Sequence, residues 1–169
     1  MPISLRRIAE GDAGLLADFY NGLSTPSKRM FRPLGETTSP GKCEEIIRDN
    51  TAEPEVKHDI VAYDDGLIVG WSFLWNLTSD APTLGLAVAD AYHDRRLGAR
   101  LIEAALDAAQ ERGIRNVALT VVQDNEKACG MYERRGFVKK NAFTGEDGLP
   151  YFGMIRERER TTLDGNTEQ

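Results

Sequence analysis

Between Thr83 and Val122 the chain reads strand, helix, strand, and this unit constrains the fold more than any other stretch. TLGLAV follows a break at Ala81-Pro82. From Leu97 to Glu111, residues Leu101, Ile102, Ala105, Leu106 and Ala109 mark one face of a helix that stops at Gly113. Val117 to Val122 is almost wholly apolar and β-branched, as in a buried strand. Such a crossover is right-handed and lays its helix on one face of the sheet. It also brings the end of the first strand and the start of the helix to one place, where ligands bind in open α/β sheets.

The remainder predicts a mostly antiparallel frame. Ile3 and Leu5 alternate with polar residues as in a short strand, and Leu15, Leu16, Phe19, Tyr20 and Leu23 recur at helical spacing. LSTPSKRMFRPLGETTSPG predicts a loop with room for one turn of helix. Ser39-Pro40 starts a second helix, with hydroxyl cap and first-position proline, and turns Cys43, Ile46 and Ile47 inward. In HDIVAYDDGLIVGWSFLW, Asp64-Asp65-Gly66 joins two β-rich runs as a hairpin. Asp124 or Asn125 caps a further helix with Ala128, Met131, Tyr132 and Arg135 along one side. Gly136 closes it, and FVKKN and YFGMI form a last pair of strands. RERERTTLDGNTEQ is a charged tail without a core-forming pattern. The class is α+β.

The 169 residues suffice for one domain with a real core, and the 41% hydrophobic and 28% charged content is that of a soluble globular protein. No apolar run is long enough to cross a bilayer, and MPISLRRIAEGD is not a signal peptide. Cys43 and Cys129 supply neither a disulfide framework nor metal-ligand spacing. A cytoplasmic protein without metal or membrane attachment is expected. The net charge of −6 speaks against nucleic acid and fits a cationic or amine-bearing substrate.

The strand-to-helix junction is YHDRRLGARLI, Tyr92 to Ile102. Unpaired N–H groups and the positive end of the helix dipole attract an anion there. The stretch is neither a Walker loop nor a dinucleotide fingerprint, and taken alone Gly98 would simply permit close helix–strand packing. Downstream, however, stands NEKACGMYERRGF, Asn125 to Phe137. With both in place the chain resembles the GNAT superfamily of acetyl-CoA-dependent N-acetyltransferases. Its members carry a Gln/Arg-x-x-Gly-x-Gly/Ala loop after the fourth strand and an Asn-x-x-Ala-x-x-Leu/Met-Tyr-x-x-x-Gly-Phe run after the fifth. The second pattern is complete here, at Asn125, Ala128, Met131, Tyr132, Gly136 and Phe137. In the first, His93 stands in the Gln/Arg place and Arg96 in that of the first glycine. The clear resemblance runs from roughly Gly66 to Phe152, and the element order extends it over nearly the whole chain.

The resemblance implies the GNAT fold: a mixed, mostly antiparallel sheet of about seven strands with four helices, its fourth and fifth strands splayed. Residues 1–156 would form the acetyltransferase domain and 157–169 a charged, flexible tail. It implies acetyl-CoA as cosubstrate, with the pyrophosphate held by the backbone of His93, Asp94, Arg95, Arg96, Leu97, Gly98 and Ala99. The pantetheine arm would pair near Val88, between the splayed strands. Asn125 becomes a hydrogen-bond partner of the cofactor as well as a helix cap, and Tyr132 the general acid toward the leaving thiolate. A phenol with an ordinary pKa of ~10 holds its proton at neutral pH. On position alone Tyr132 is a space-filling core residue.

TLGLAV lacks the carboxylate that often serves as general base in this family. Asp90, Asp80, Glu36 and His58 are candidates and none is assigned, since an amine arriving neutral needs no base. Cys129 reads as a packing residue rather than a nucleophile. The resemblance implies a primary-amine acceptor, on a small molecule or a protein, bounded by the first two helices and the hairpin. There LSTPSKRMF faintly resembles bacterial protein-lysine acetyltransferase GNAT domains. Trp71, Phe73 and Trp75 share a strand face, as core or as a hydrophobic acceptor wall. Homodimerisation stays open. Two rival readings remain: a GNAT-fold sensor that holds CoA without catalysis, and a small α+β interaction domain with an accidental motif. Arg96 carries a conditional expectation. With φ below zero its side chain costs little and adds a cation; with φ above zero it is strained, and Arg96→Gly should tighten CoA binding.

Overall fold

Asp65 and Gly66 take φ of 52° and 79°, the left-handed pair that a two-residue hairpin turn requires, so His58–Asp64 folds back on Leu67–Trp75. The computed structural model describes residues 2–93 and 95–158; Asp94 and residues 159–169, most of the expected tail, lie outside the described residues. In chain order the elements are β1 (Ser4–Arg7), α1 (Ala13–Asn21), α2 (Thr25–Met30), α3 (Pro40–Thr51), β2 (His58–Asp64), β3 (Leu67–Trp75), β4 (Thr83–Val88), a 3-10 turn (Asp90–Tyr92), α4 (Leu97–Glu111), β5 (Asn116–Val122), α5 (Glu126–Glu133), β6 (Val138–Thr144) and β7 (Pro150–Glu157). There are five helices among the described residues, one more than expected. The addition is α2, the single turn allowed for in the Ser/Pro-rich segment. Ser24 caps it by accepting from the Ser27 N–H at 3.3 Å.

The strands form one seven-stranded sheet in the order β1-β2-β3-β4-β5-β7-β6, antiparallel except for β4 against β5. On one face α1 and α3 bury Leu16, Tyr20, Cys43 and Ile46 against Val61, Trp71 and Phe73. On the other, α4 packs Leu101 against Ile60, Ala62 and Val69. Ile102 and Ala105 of α4 meet Leu119 and Val121 of β5 and Tyr132 of α5. β5 is largely buried, as expected, with one exception. It buries Val117, Leu119, Val121 and Val122, while Thr120 is exposed and lines the cleft described below.

Trp71, Phe73 and Trp75 are core: the Phe73 and Trp75 rings stack at 4.0 Å, and Trp71 is fully buried. Their arrangement is tied to a buried carboxylate. Asp59 accepts from Trp71 Nε1 at 2.7 Å, Trp75 Nε1 at 3.1 Å and Asn50 Nδ2 at 2.9 Å. Burial pushes Asp59 up to about 6 against those donors, whereas burial and the Arg112 and Arg7 guanidiniums push His58 down to about 4. The signs oppose each other. The Asp59 contribution is present below its unfolded value of 3.8 and is lost as pH rises through about 6. The His58 contribution is present above 6.5 and is lost as pH falls through about 4. The two therefore nearly cancel in the native protein between those limits. Asp59→Asn should leave a stability that rises by roughly 3 kcal/mol with pH across this window, and His58→Gln one that falls by a similar amount. Urea midpoints measured against pH check both slopes.

Candidate functional site

β4 and β5 share a single bridge, Thr83 to Ala118. Past that point β4 stays with β3 as far as Val88, and β5 stays with β7 as far as Val122, so the parallel pair opens into a wedge. Ala89 donates to the Val69 carbonyl at 2.8 Å, on the β3 side, and Ala118 donates to the Pro82 carbonyl at 2.9 Å, on the β5 side. Peptide groups alternate in direction along a strand, so those of Leu86 and Val88 face the open wedge. His93 Nε2 lies 3.0 Å from the Val88 carbonyl there. The wedge widens into a cleft of about 900 Å³, the size of a cofactor site.

α4 begins at the mouth of this cleft, and no side chain caps it. Its first intrahelical bond runs from Arg100 N–H to the Arg96 carbonyl, leaving the N–H groups of Leu97, Gly98 and Ala99 without helical partners. All three residues line the cleft. Gly98 is not there for packing. A Cβ at that position would stand 3.9 Å from both the Leu86 and Val88 side chains, an ordinary contact, so the bare backbone leaves a cradle. Cations face the same rim: Arg96 from the loop, and Lys127 and Arg134 from α5. Backbone donors, a cradle and cations together fit a pyrophosphate.

Of the residues expected from sequence, Val88, His93, Arg96, Leu97, Gly98, Ala99, Asn125 and Tyr132 border this one cleft. Arg95 does not line it; its guanidinium lies 4.9 Å from the centre of the Tyr92 ring. Asp94 lies outside the described residues. Lys127 and Arg134 escaped the sequence reading. Their signal was helical spacing, since Lys127, Met131 and Arg134 repeat at four and three residues on one face of α5.

Arg96 has φ 58° and ψ 13°, so the strained branch of the expectation applies. A left-handed non-glycine residue costs about 1 kcal/mol. Arg96→Gly is expected to raise Tm by roughly 2–4 °C and to tighten CoA by favouring the binding-competent turn. Arg96→Ala removes the cation and keeps the strain, so it should weaken CoA. Thermal unfolding and CoA titration of the two variants check this.

Tyr132 is 7% exposed and packs edge-on against Phe137 at 5.7 Å. Burial pushes its phenol well above the ordinary value, with a smaller push from Cys129. Its hydroxyl has no hydrogen-bond partner among the described residues. Asn125 accepts from the Ala128 N–H at 3.3 Å, so it is a helix cap that also borders the cleft. None of the candidate bases lines the cleft. Asp90 accepts from Ser27 Oγ at 2.7 Å, and its bonds to Ser24 and Ser27 hold it below the ordinary carboxylate value. Asp80 is exposed, Glu36 pairs with Arg32 at 3.8 Å, and His58 Nδ1 lies 2.9 Å from Arg112 in a separate hollow.

Residues 24–137, which hold this wedge and loop, match the model of the acetyltransferase (GNAT) family, to which the chain therefore belongs. N-alpha-acetyltransferase 30 of Schizosaccharomyces pombe is 35% identical over 54 residues, a match spanning 32% of this chain and only 36% of that protein. A GNAT-family acetyltransferase from Streptococcus pneumoniae superposes with a TM-score of 0.79 at 22% identity, over 94% of this chain and 100% of that one. Spermidine N-acetyltransferase from Vibrio cholerae, solved with CoA and spermine, gives 0.75 at 18% identity, over 92% and 95%. The GNAT domain of S. lividans PAT gives 0.72 at 23% identity, over 88% of each chain. At these identities the likeness is one of fold.

Proposed function

We propose that the protein transfers an acetyl group from acetyl-CoA directly to a primary amine, with residues 1–156 as the acetyltransferase domain. One observation carries this reading: the anion-seeking start of α4 and the unpartnered hydroxyl of the largely buried Tyr132 border the same cleft. Acetyl-CoA would lay its pyrophosphate on the backbone of Leu97, Gly98 and Ala99, beside Arg96, Lys127 and Arg134. Its arm would follow the open edge of β4, where the Leu86 and Val88 peptide groups supply strand-like hydrogen bonds.

The chemistry then divides among few groups. A neutral amine attacks the thioester carbonyl; the new C–N bond forms as the C–S bond breaks. The Val88 N–H faces the wedge and donates to the carbonyl oxygen as it gains charge. Tyr132 gives its proton to the departing sulfur and recovers one from solvent. The nitrogen releases its excess proton to water, since the described carboxylates near the cleft are already bonded. The two cysteines, buried and unpaired, fit a reducing cytoplasm.

Acetyl-CoA at 100 times its Kd should raise stability by about 2.7 kcal/mol, and an amine should then release free CoA thiol. No thermal shift at millimolar ligand sinks the reading. The second reading, a CoA-binding sensor, draws on the lack, among the described residues, of a free carboxylate at the cleft. Binding without thiol release across a broad amine panel would establish it.

A further inference from the structure

The rim of the cleft opposite the cations is built by α2 and its flanks. Leu23, Pro26, Met30 and Phe31 line it. Phe31 is backed by the aromatic core, 5.5 Å from the Trp71 ring and 6.0 Å from that of Phe73, so this wall has a rigid apolar base. Met30 in front of it is 37% exposed, an apolar side chain presented to the opening.

α2 is held there by one tie to each arm of the wedge. Ser27 donates to Asp90, just past the end of β4, and Arg29 donates to both oxygens of Asp124, just past the end of β5, at 3.0 and 2.9 Å. These ties also engage both carboxylates, Asp90 and Asp124, that follow the two arms. The one carboxylate that lines the cleft among the described residues is Glu103. It sits on the opposite, cationic side and accepts from Arg135 at 3.1 Å. An acceptor with a second ammonium would therefore bring it to an apolar wall or beside Arg29. An unpaired charge taken out of water is strongly disfavoured.

We infer that the acceptor is a monoamine whose amino group sits directly on an apolar body, seated against Leu23, Pro26, Met30 and Phe31, and that polyamines are discriminated against. This rests on the acetyltransferase reading. It also separates this chain from the spermidine enzyme that shares its fold, because the wall that would meet a polyamine carries no unengaged acid among the described residues.

The test compares acetyl-CoA-dependent thiol release with leucinamide, glycinamide, spermidine and a peptide beginning with leucine. Leucinamide should exceed glycinamide in kcat/KM by about 10-fold or more, as expected for several methylenes entering an apolar pocket, and should exceed spermidine. Met30→Glu places an acid on the exposed end of the wall and should reverse the order of leucinamide and spermidine. Equal or better turnover of the peptide assigns the apolar amine to a polypeptide N-terminus; turnover of leucinamide alone assigns it to a small molecule. Both keep the shared chemistry. Spermidine preferred by the native protein, or leucinamide no better than glycinamide, overturns the inference while leaving acetyl transfer in place. Acetyl-CoA binding with no turnover of any of the four amines removes the catalytic reading and this inference with it.

Discussion

Tyr132→Phe should lower kcat by about 10²-fold or more, the usual worth of a positioned general acid, while the Kd for acetyl-CoA changes much less. The asymmetry follows from the surroundings of the ring. Its hydroxyl has no partner among the described residues, so its removal orphans no donor or acceptor, and phenylalanine keeps the edge-on contact with Phe137. A folded, CoA-binding and slow enzyme is expected. Single-turnover kinetics beside CoA titration measure both quantities. An unchanged kcat would mean that Tyr132 only fills space between α5 and the sheet.

Gly98→Val is expected to weaken CoA by roughly 10- to 100-fold, the loss of one or two charge-assisted hydrogen bonds, with Tm nearly unchanged. A Cβ here meets Leu86, Val88 and Met131 only at 3.9–4.0 Å, so alanine fits and the fold tolerates a side chain. Valine adds two methyls in the cradle, where the phosphate is to meet backbone N–H groups. Gly98→Ala should therefore lie between the native protein and Gly98→Val in affinity. A packing glycine would behave in the opposite way, losing stability and leaving CoA affinity intact. Calorimetric titration together with thermal unfolding separates the two.

What is legible in the sequence is whatever repeats locally. α4 was marked over its full length because its apolar residues follow the helical period and Gly113, at φ 69°, ends it. The hairpin was marked because Asp65-Gly66 tolerates the required turn. The tie that fixes α2, Arg29 to Asp124, spans 95 residues, and no spacing rule reaches that far. Nor does α2 bury any residue, so it has no apolar stripe to betray it. The wedge between β4 and β5 is equally silent in TLGLAV and NVALTVV, since splaying depends on which neighbours each strand keeps; it entered only through family resemblance. Arg96 shows a third kind of limit. The substitution was visible, but its sense depended on the sign of one backbone angle.

α2 is a six-residue helix without a buried side chain, held by an exposed ion pair and one hydroxyl–carboxylate bond. Exposed pairs of that kind contribute under about 1 kcal/mol, so this segment ranks among the pieces that open first in hydrogen exchange. On the proposed reading, substrate choice resides in a part whose alteration leaves the core around Leu16, Trp71 and Leu101 intact. Mutational drift at Pro26, Arg29 or Met30 would then change which amine is accepted without threatening the fold. A lineage built on this scaffold is free to explore new acceptors one residue at a time.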